Sequence, residues 1–525
     1  MITLLDYGAG NVRSVINAIE KLGESVAVAT SADAVRSAEK LVFPGVGSFG
    51  SMMHSLEKKN YLQALKAFLS AQRPFLGICL GLHALFERSE EAPDVRGLGI
   101  LPGHVRKFDI DPAVPHIGWN GIRIRKESEL FYGLSPDEKF YFVHSYYVVS
   151  EEDSAVLTTT NYGVEFVSSV QKDNLAATQF HPEKSGRAGL SVLRNFLESA
   201  GGHKCPVTLS GDTELSKRII ACLDVRSNDQ GDLVVTKGDQ YDVREEGNVR
   251  NLGKPVELAE RYYLDGADEI TFLNITGFRD FPLEDMPMID VLKKTSENVF
   301  VPLTIGGGIR DYTDKNGTTY TALEVAAEYF RSGADKISIG SDAVLIVEDY
   351  LKSGKKSGRS SIEQISGIYG SQAVVISIDP RRVYVTSPDD VTHKVIETEE
   401  KGPNGENYCW YQCTIKGGRE GRDLDAATLA EACEELGAGE ILLNCIDRDG
   451  TGDGFDIELI NLVKSVVSIP VIASSGAGCP AHFLEVFEKT QAESALAAGI
   501  FHRNEVPIAD VKEYLKGRVE IRVIP

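Results

Sequence analysis

The stretch Arg218-Ile219-Ile220-Ala221-Cys222-Leu223-Asp224-Val225 is a short apolar run with a cation at its start and a carboxylate near its end. It is followed, after a polar loop, by the amphipathic stretch 255–268 (PVELAERYYLDGAD). The same alternation recurs along the chain. Further apolar runs occur at 269–275 (EITFLNI), 301–308 (VPLTIGGG), 336–342 (KISIGSD), 373–379 (AVVISID), 440–447 (EILLNCID), 470–476 (PVIASSG) and 494–500 (SALAAGI). Eight strand–helix units in one region predict a (β/α)₈ TIM barrel over 216–525, with a doubly wound open sheet as the other α/β solution.

The barrel region repeats itself at half its length. Asp224 ends the first strand and Asp379 the fifth; FLNI in the second matches LLNCI in the sixth. The third ends in Gly306-Gly307-Gly308 and the seventh in Ser474-Ser475-Gly476; the fourth ends in Gly340-Ser341 and the eighth in Ala498-Gly499. Residues 381–422 are over-long for a connection and are expected to form an added hairpin or loop.

Upstream, residues 1–203 alternate short apolar runs (ITLLDYG, KLVFPGVGSFG, PFLGICLGLHALF, AATQFHPEKSG) with amphipathic stretches, predicting a separate α/β domain. The polar stretch 204–215 reads as the linker. A chain of 525 residues is long enough for two such cores, and its 42% hydrophobic and 25% charged content is that of a globular protein. A net charge of -22 argues against nucleic acid or an anionic membrane as main partner, without excluding local phosphate pockets. The N-terminus shows neither a signal peptide nor a transit sequence, so the expected location is cytoplasmic, or plastid stroma if a transit peptide has been removed. The eight cysteines lack zinc-type pairing, Cys409 and Cys413 in YCWYQC included, and read as buried or free thiols.

Cys79 stands apart, because Gly77-Ile78-Cys79-Leu80-Gly81 places it at a strand-to-helix turn between small residues, the geometry of an exposed nucleophile. His181 and Glu183 follow in QFHPEKSG, supplying a base for the thiol and a carboxylate to orient that base. At the barrel's C-terminal face, Asp224 and Asp379 face each other across the ring and suit paired proton transfers; a pair of helix caps is the plain alternative. Lys237 lies in the long loop after the first strand, either as a mobile substrate contact or as a solvated lysine. Gly307 and Gly308 with Gly340 and Ser341 form one candidate phosphate cradle. Ser475 and Gly476 with Ala498 and Gly499 form a second, joined by Asp449 and Gly450. Two cradles imply a long substrate with a phosphate at each end. Arg218, Glu269, Lys336 and Glu440 sit at the N-terminal ends of alternate strands. Singly each reads as a surface charge; together they can pair as a ring around an opening.

On GICLG and HPE, residues 1–203 resemble class I glutamine amidotransferase domains. The resemblance implies a Cys79–His181–Glu183 triad, with a glutamyl thioester on Cys79. It implies an oxyanion hole from Leu80 and the Gly45-Val46-Gly47 strand, and a glutamine site at His144, Ser145 and Tyr146. The family usually has Gln where this chain has His83. On CLDVR, TKGDQYDV, LTIGGGIRD, SIGSDA, SIDPRR, NCIDRDG and ASSGAG, residues 216–525 resemble the cyclase of the imidazole glycerol phosphate synthase family, in its eukaryotic bifunctional form. This implies glutamine and N′-(5′-phosphoribulosyl)-formimino-aminoimidazole carboxamide ribonucleotide (PRFAR) as substrates. It also implies an ammonia gate at the four charges, Asp335 facing the glutaminase, no metal or redox cofactor, and a monomer, both activities being in one chain. A related two-phosphate isomerase would leave the glutaminase without purpose. A pyridoxal phosphate synthase would need Schiff-base lysines at the matching strand ends, where none lies. A non-catalytic sensor of glutamine or the bisphosphate is the remaining alternative.

Overall fold

The structure is a computed structural model and describes residues 1–8, 10–198, 204–207, 213–228, 233–236, 244–245, 248–249, 251–275, 283 and 286–523. Lys237 lies outside the described residues.

The N-terminal region is built on a mixed sheet of eleven strands among the described residues. Val26–Val28, Ile2–Leu4, Lys40–Gly45, Phe75–Cys79 and Leu175–Thr178 lie side by side and parallel. Strands of this kind are covered on both faces, so they read as unbroken apolar runs, and Phe75–Cys79 is buried throughout. A separate antiparallel ribbon pairs His116–Asn120 with Phe140–His144. Its residues Ile117, Trp119, Tyr141 and Val143 belong to the same apolar core as the barrel, so the two regions share one interior rather than touching at a polar surface.

The barrel strands are Arg218–Ser227, Glu269–Asn274, Leu303–Gly306, Lys336–Ile339, Val374–Ile378, Glu440–Asn444, Val471–Ser474 and Ser494–Ala497. All eight are parallel, and Arg218–Ala221 pair with Ser494–Ala497 to close the ring, which excludes the open sheet. The helices follow local chemistry. Ala426–Leu436 starts at Asp425, whose carboxylate accepts from Thr428 N–H, and stops at Gly437 in a left-handed conformation.

The insertion is more than a hairpin. Pro380–Val385, Ile396–Glu397, Tyr408–Ile415 and Glu420–Asp425 form a four-stranded antiparallel sheet. Cys409, Tyr411 and Cys413 alternate inward into the barrel core, while Trp410 on the other face is buried too, so this strand is covered on both sides. The cysteines of the chain are unpaired.

Candidate functional sites

Cys79 ends its strand with φ 53, a strained value for a residue with a side chain, and the helix Leu80–His83 follows at once. The flanking glycines are a packing requirement. A Cβ on Gly81 would stand 2.1 Å from Phe43 O, and one on Gly77 would stand 2.8 Å from Gly81 C. Gly45 is the register partner of Cys79 on the neighbouring strand.

His181 Nδ1 lies 2.8 Å from Glu183 Oε1, with both side chains buried. Burial alone would lower the imidazole pKa, but the charges of Glu183 and Cys79 and the hydrogen bond to Glu183 outweigh it, holding the pKa well above its ordinary value. That is the condition for a base that can take the thiol proton. Val46, Gly47, Cys79, Leu80, His83, His144, Ser145, Tyr146 and His181 line one small cavity. Three lining residues escaped the sequence reading: Glu91, Val143 and Gln372, the last from the short 3-10 turn Ser371–Ala373 before barrel strand five. Gln179 escaped it too, although it lies inside the quoted QFHPE; its Nε2 donates to Cys79 Sγ at 3.5 Å.

At the opposite end of the barrel, two cavities of about 480 Å³ and about 440 Å³ meet over Asp224, Asp449, Ser475 and Ala498. The first holds Gly307, Gly308, Gly340, Ser341 and Asp379; the second holds Gly450, Gly476 and Gly499. Ser475 and Ala498, expected only in the second cradle, border both. Asp379 accepts from Asn444 Nδ2 at 2.7 Å and Ser377 Oγ at 3.4 Å. Burial raises its carboxyl above the usual carboxylate range against those two bonds. Among the described residues neither Asp caps a helix, since the helices that follow them are capped by Lys254, Ser387 and Asp425. Apart from Lys237, which lies outside the described residues, the cations of this face were not singled out from sequence. Arg310, Lys416 and Arg419 line the first cavity and Arg503 the second. Lys416 and Arg419 sit on a turn of the inserted sheet, which Lys416 N–H ties to Ser341 Oγ at 3.1 Å.

The four charges at the other barrel end correct two expectations. They sit on strands one, two, four and six, so they do not strictly alternate. They are not surface groups either: all four residues are 0% exposed. Arg218 pairs with Glu269 at 2.8 Å and with Glu440, while Lys336 reaches Glu269 and Glu440 at 2.6 Å each. Their burial follows from the ribbon, which drives Tyr141 against the ring. Desolvation would raise the Glu440 pKa, but Arg218 and Lys336 hold it below its ordinary value. Beside the ring, Lys184 Nζ meets Asp335 Oδ2 at 2.7 Å and Asn11 Nδ2 donates to Asp335 Oδ1 at 2.8 Å, so Asp335 faces the N-terminal domain. Above the ring, Ile220, Cys222, Val375, Leu442, Ile472 and Leu496 form an apolar cluster of buried side chains inside the barrel.

The sequence profile described as "Histidine biosynthesis protein" matches residues 218–507, and that described as "Glutamine amidotransferase class-I" matches residues 3–200. A protein of Arabidopsis thaliana, "Imidazole glycerol phosphate synthase hisHF, chloroplastic", is 60% identical over 100% of this chain and 90% of its own length. "Imidazole glycerol phosphate synthase hisHF" of Schizosaccharomyces pombe is 56% identical, covering 98% of each chain. "Imidazole glycerol phosphate synthase subunit HisF" of Methanobrevibacter smithii is 44% identical over 58% of this chain and 97% of its own length.

Proposed function

The chain belongs to the imidazole glycerol phosphate synthase family of fused glutaminase and cyclase, and from that premise we propose how its two sites share one reaction. Glutamine enters the Cys79 cavity. His181, oriented by Glu183, takes the thiol proton, and the thiolate attacks the side-chain amide carbonyl. The oxyanion is met by Leu80 N–H and by the strand around Val46, after rearrangement of a peptide there. His181 gives that proton to the departing nitrogen, ammonia leaves, and water releases glutamate from the thioester.

Ammonia stays nucleophilic only while unprotonated, so it travels through the barrel rather than through water. Arg218, Glu269, Lys336 and Glu440 gate its entry, and the apolar cluster above them carries it to the far end. There PRFAR lies across the two joined cavities, a phosphate in each glycine cradle, with Asp224 and Asp379 moving the protons that lead to imidazole glycerol phosphate and AICAR. The chemistry asks for no metal or redox cofactor. Both activities being in one chain, a monomer suffices, with no call for nucleic acid or a membrane. No helix among the described residues is long and apolar enough to cross a membrane. The compartment is the cytoplasm, or the plastid stroma as the Arabidopsis relative's designation suggests.

The supporting observation is that a loop at one barrel end lines the Cys79 cavity through Gln372, while Asp224 and Asp379 line cavities at the other end. The test follows AICAR and glutamate together, with glutamine and PRFAR supplied, beside a Cys79→Ala variant. Equal products from the parent, and activity of the variant only with ammonium salt, are the expected result. Ligand binding with neither product favours the sensor reading and overturns this one.

A further inference from the structure

The catalytic thiol is held by an amide outside the triad. Gln179 Nε2 donates to Cys79 Sγ at 3.5 Å, and Gln179 Oε1 lies 2.8 Å from His83 Nε2. Gln179 and His83 are both buried. A primary amide is a donor at one end and an acceptor at the other, so its orientation decides what the sulfur meets. The reactive thiolate is purely an acceptor. With N–H toward sulfur the amide stabilises it, whereas a carbonyl oxygen there would repel it.

His83 sets that orientation. Its Nδ1 has no hydrogen-bond partner among the described residues, so the ring's one hydrogen bond is to Gln179. Burial keeps the imidazole neutral, with its pKa lowered to about 4. A proton on the unpartnered Nδ1 would be a buried, unpaired donor, so the neutral ring carries its proton on Nε2 and donates to Oε1, which turns Gln179 Nε2 toward the sulfur. Cys79, Glu91, His144 and His181 share this cavity, and none of them hydrogen-bonds to His83 among the described residues.

We propose that His83 is a positioning residue: through Nε2–H it locks the Gln179 amide so that Gln179 N–H stabilises the Cys79 thiolate. The departure from the family's usual Gln at this position therefore supports the nucleophile. This inference rests on the glutaminase reading of Cys79.

Alkylation of Cys79 by iodoacetamide, measured against pH, reports the thiol directly and needs no glutamine turnover. Failure of the inference is thereby distinguishable from failure of the glutaminase reading. His83→Leu is expected to raise the apparent thiol pKa by about one unit, roughly tenfold in thiolate fraction near neutrality, and to lower glutaminase kcat more than it changes KM. His83→Gln, which still offers an N–H to Oε1, is expected to restore the profile within a few-fold. Gln179→Glu keeps the shape but puts a carboxylate against the sulfur, and should raise the thiol pKa further, whether or not His83→Leu folds. Coincident alkylation profiles for the parent, His83→Leu and Gln179→Glu, with only KM for glutamine altered, would overturn the proposal and make His83 a substrate contact.

Discussion

Arg218 and Asp224 stand on the same inward face of one barrel strand, Arg218–Ser227, at opposite ends of the barrel. Side chains alternate along a strand, so residues 218, 220, 222 and 224 share a face. Six residues at roughly 3.3 Å each put the charged ring about 20 Å below the carboxylate. Ile220 and Cys222 fill the interval. A single strand therefore links the floor of the barrel to the proposed chemistry.

The ring should act as a gate whose removal uncouples the two reactions. Lys336→Met leaves Glu269 and Glu440 each with one buried partner fewer. Breaking such a pair costs about 3–5 kcal/mol. The expected result is a lower melting temperature and more glutamate than AICAR per turnover, with ammonium-dependent cyclisation preserved. A one-to-one ratio in a folded variant would count against gating.

Lys184 and Asp335 join the two regions at a buried contact, close to His181 and Glu183 in sequence. PRFAR binding at the far end of the barrel is expected to accelerate glutamine hydrolysis, and this contact is placed to transmit it. Asp335→Asn and Lys184→Met, singly and together, should reduce that acceleration with a coupling of about 1–3 kcal/mol in a double-mutant cycle. Equal glutaminase rates with and without PRFAR in the parent would remove the coupling itself.

Asp379→Asn retains the shape of the side chain and removes its proton chemistry. Cyclisation should fall by roughly 10²- to 10⁴-fold, with glutaminase activity in the presence of PRFAR retained. A loss under about tenfold would assign the proton transfer elsewhere.

The turn of the inserted sheet brings Lys416 and Arg419 to the first cavity, and Arg422 holds the sheet to Glu348 at 2.7 Å. Lys416→Ala with Arg419→Ala should raise KM for PRFAR by about tenfold and make it less sensitive to salt, while kcat changes little. An unchanged KM would leave the insertion a purely structural role.

His83 and His116 are held neutral by burial, with pKa values lowered from 6.5 to about 4 and about 3. Below 6.5 the unfolded chain takes up protons that the folded chain refuses. Stability contributed by the neutral forms is therefore complete above 6.5 and is lost as pH falls toward 4. His83→Gln should flatten the dependence of melting temperature on pH over that window, and an identical slope would contradict the buried neutral assignment.

Local chemistry was enough to read much of this protein. Eight apolar runs, each short and bounded by small or charged residues, specify eight strands and hence the barrel. The glycines around Cys79 and the ends of strands three, four, seven and eight mark candidate sites because only small residues allow such tight backbone approach. What sequence could not reveal is who meets whom across hundreds of residues. Arg218, Glu269, Lys336 and Glu440 resemble surface charges until Tyr141 and the ribbon exclude water from them. Gln179, Gln372, Lys416 and Arg419 carry no local signature, since an amide or a cation is ordinary at any exposed position. The inserted sheet was hidden because its alternation was short and its inward residues were cysteines and tyrosine. Strand and turn preferences are properties of neighbouring residues, whereas burial, charge pairing and a hydrogen bond to a distant sulfur exist only once the chain has closed on itself.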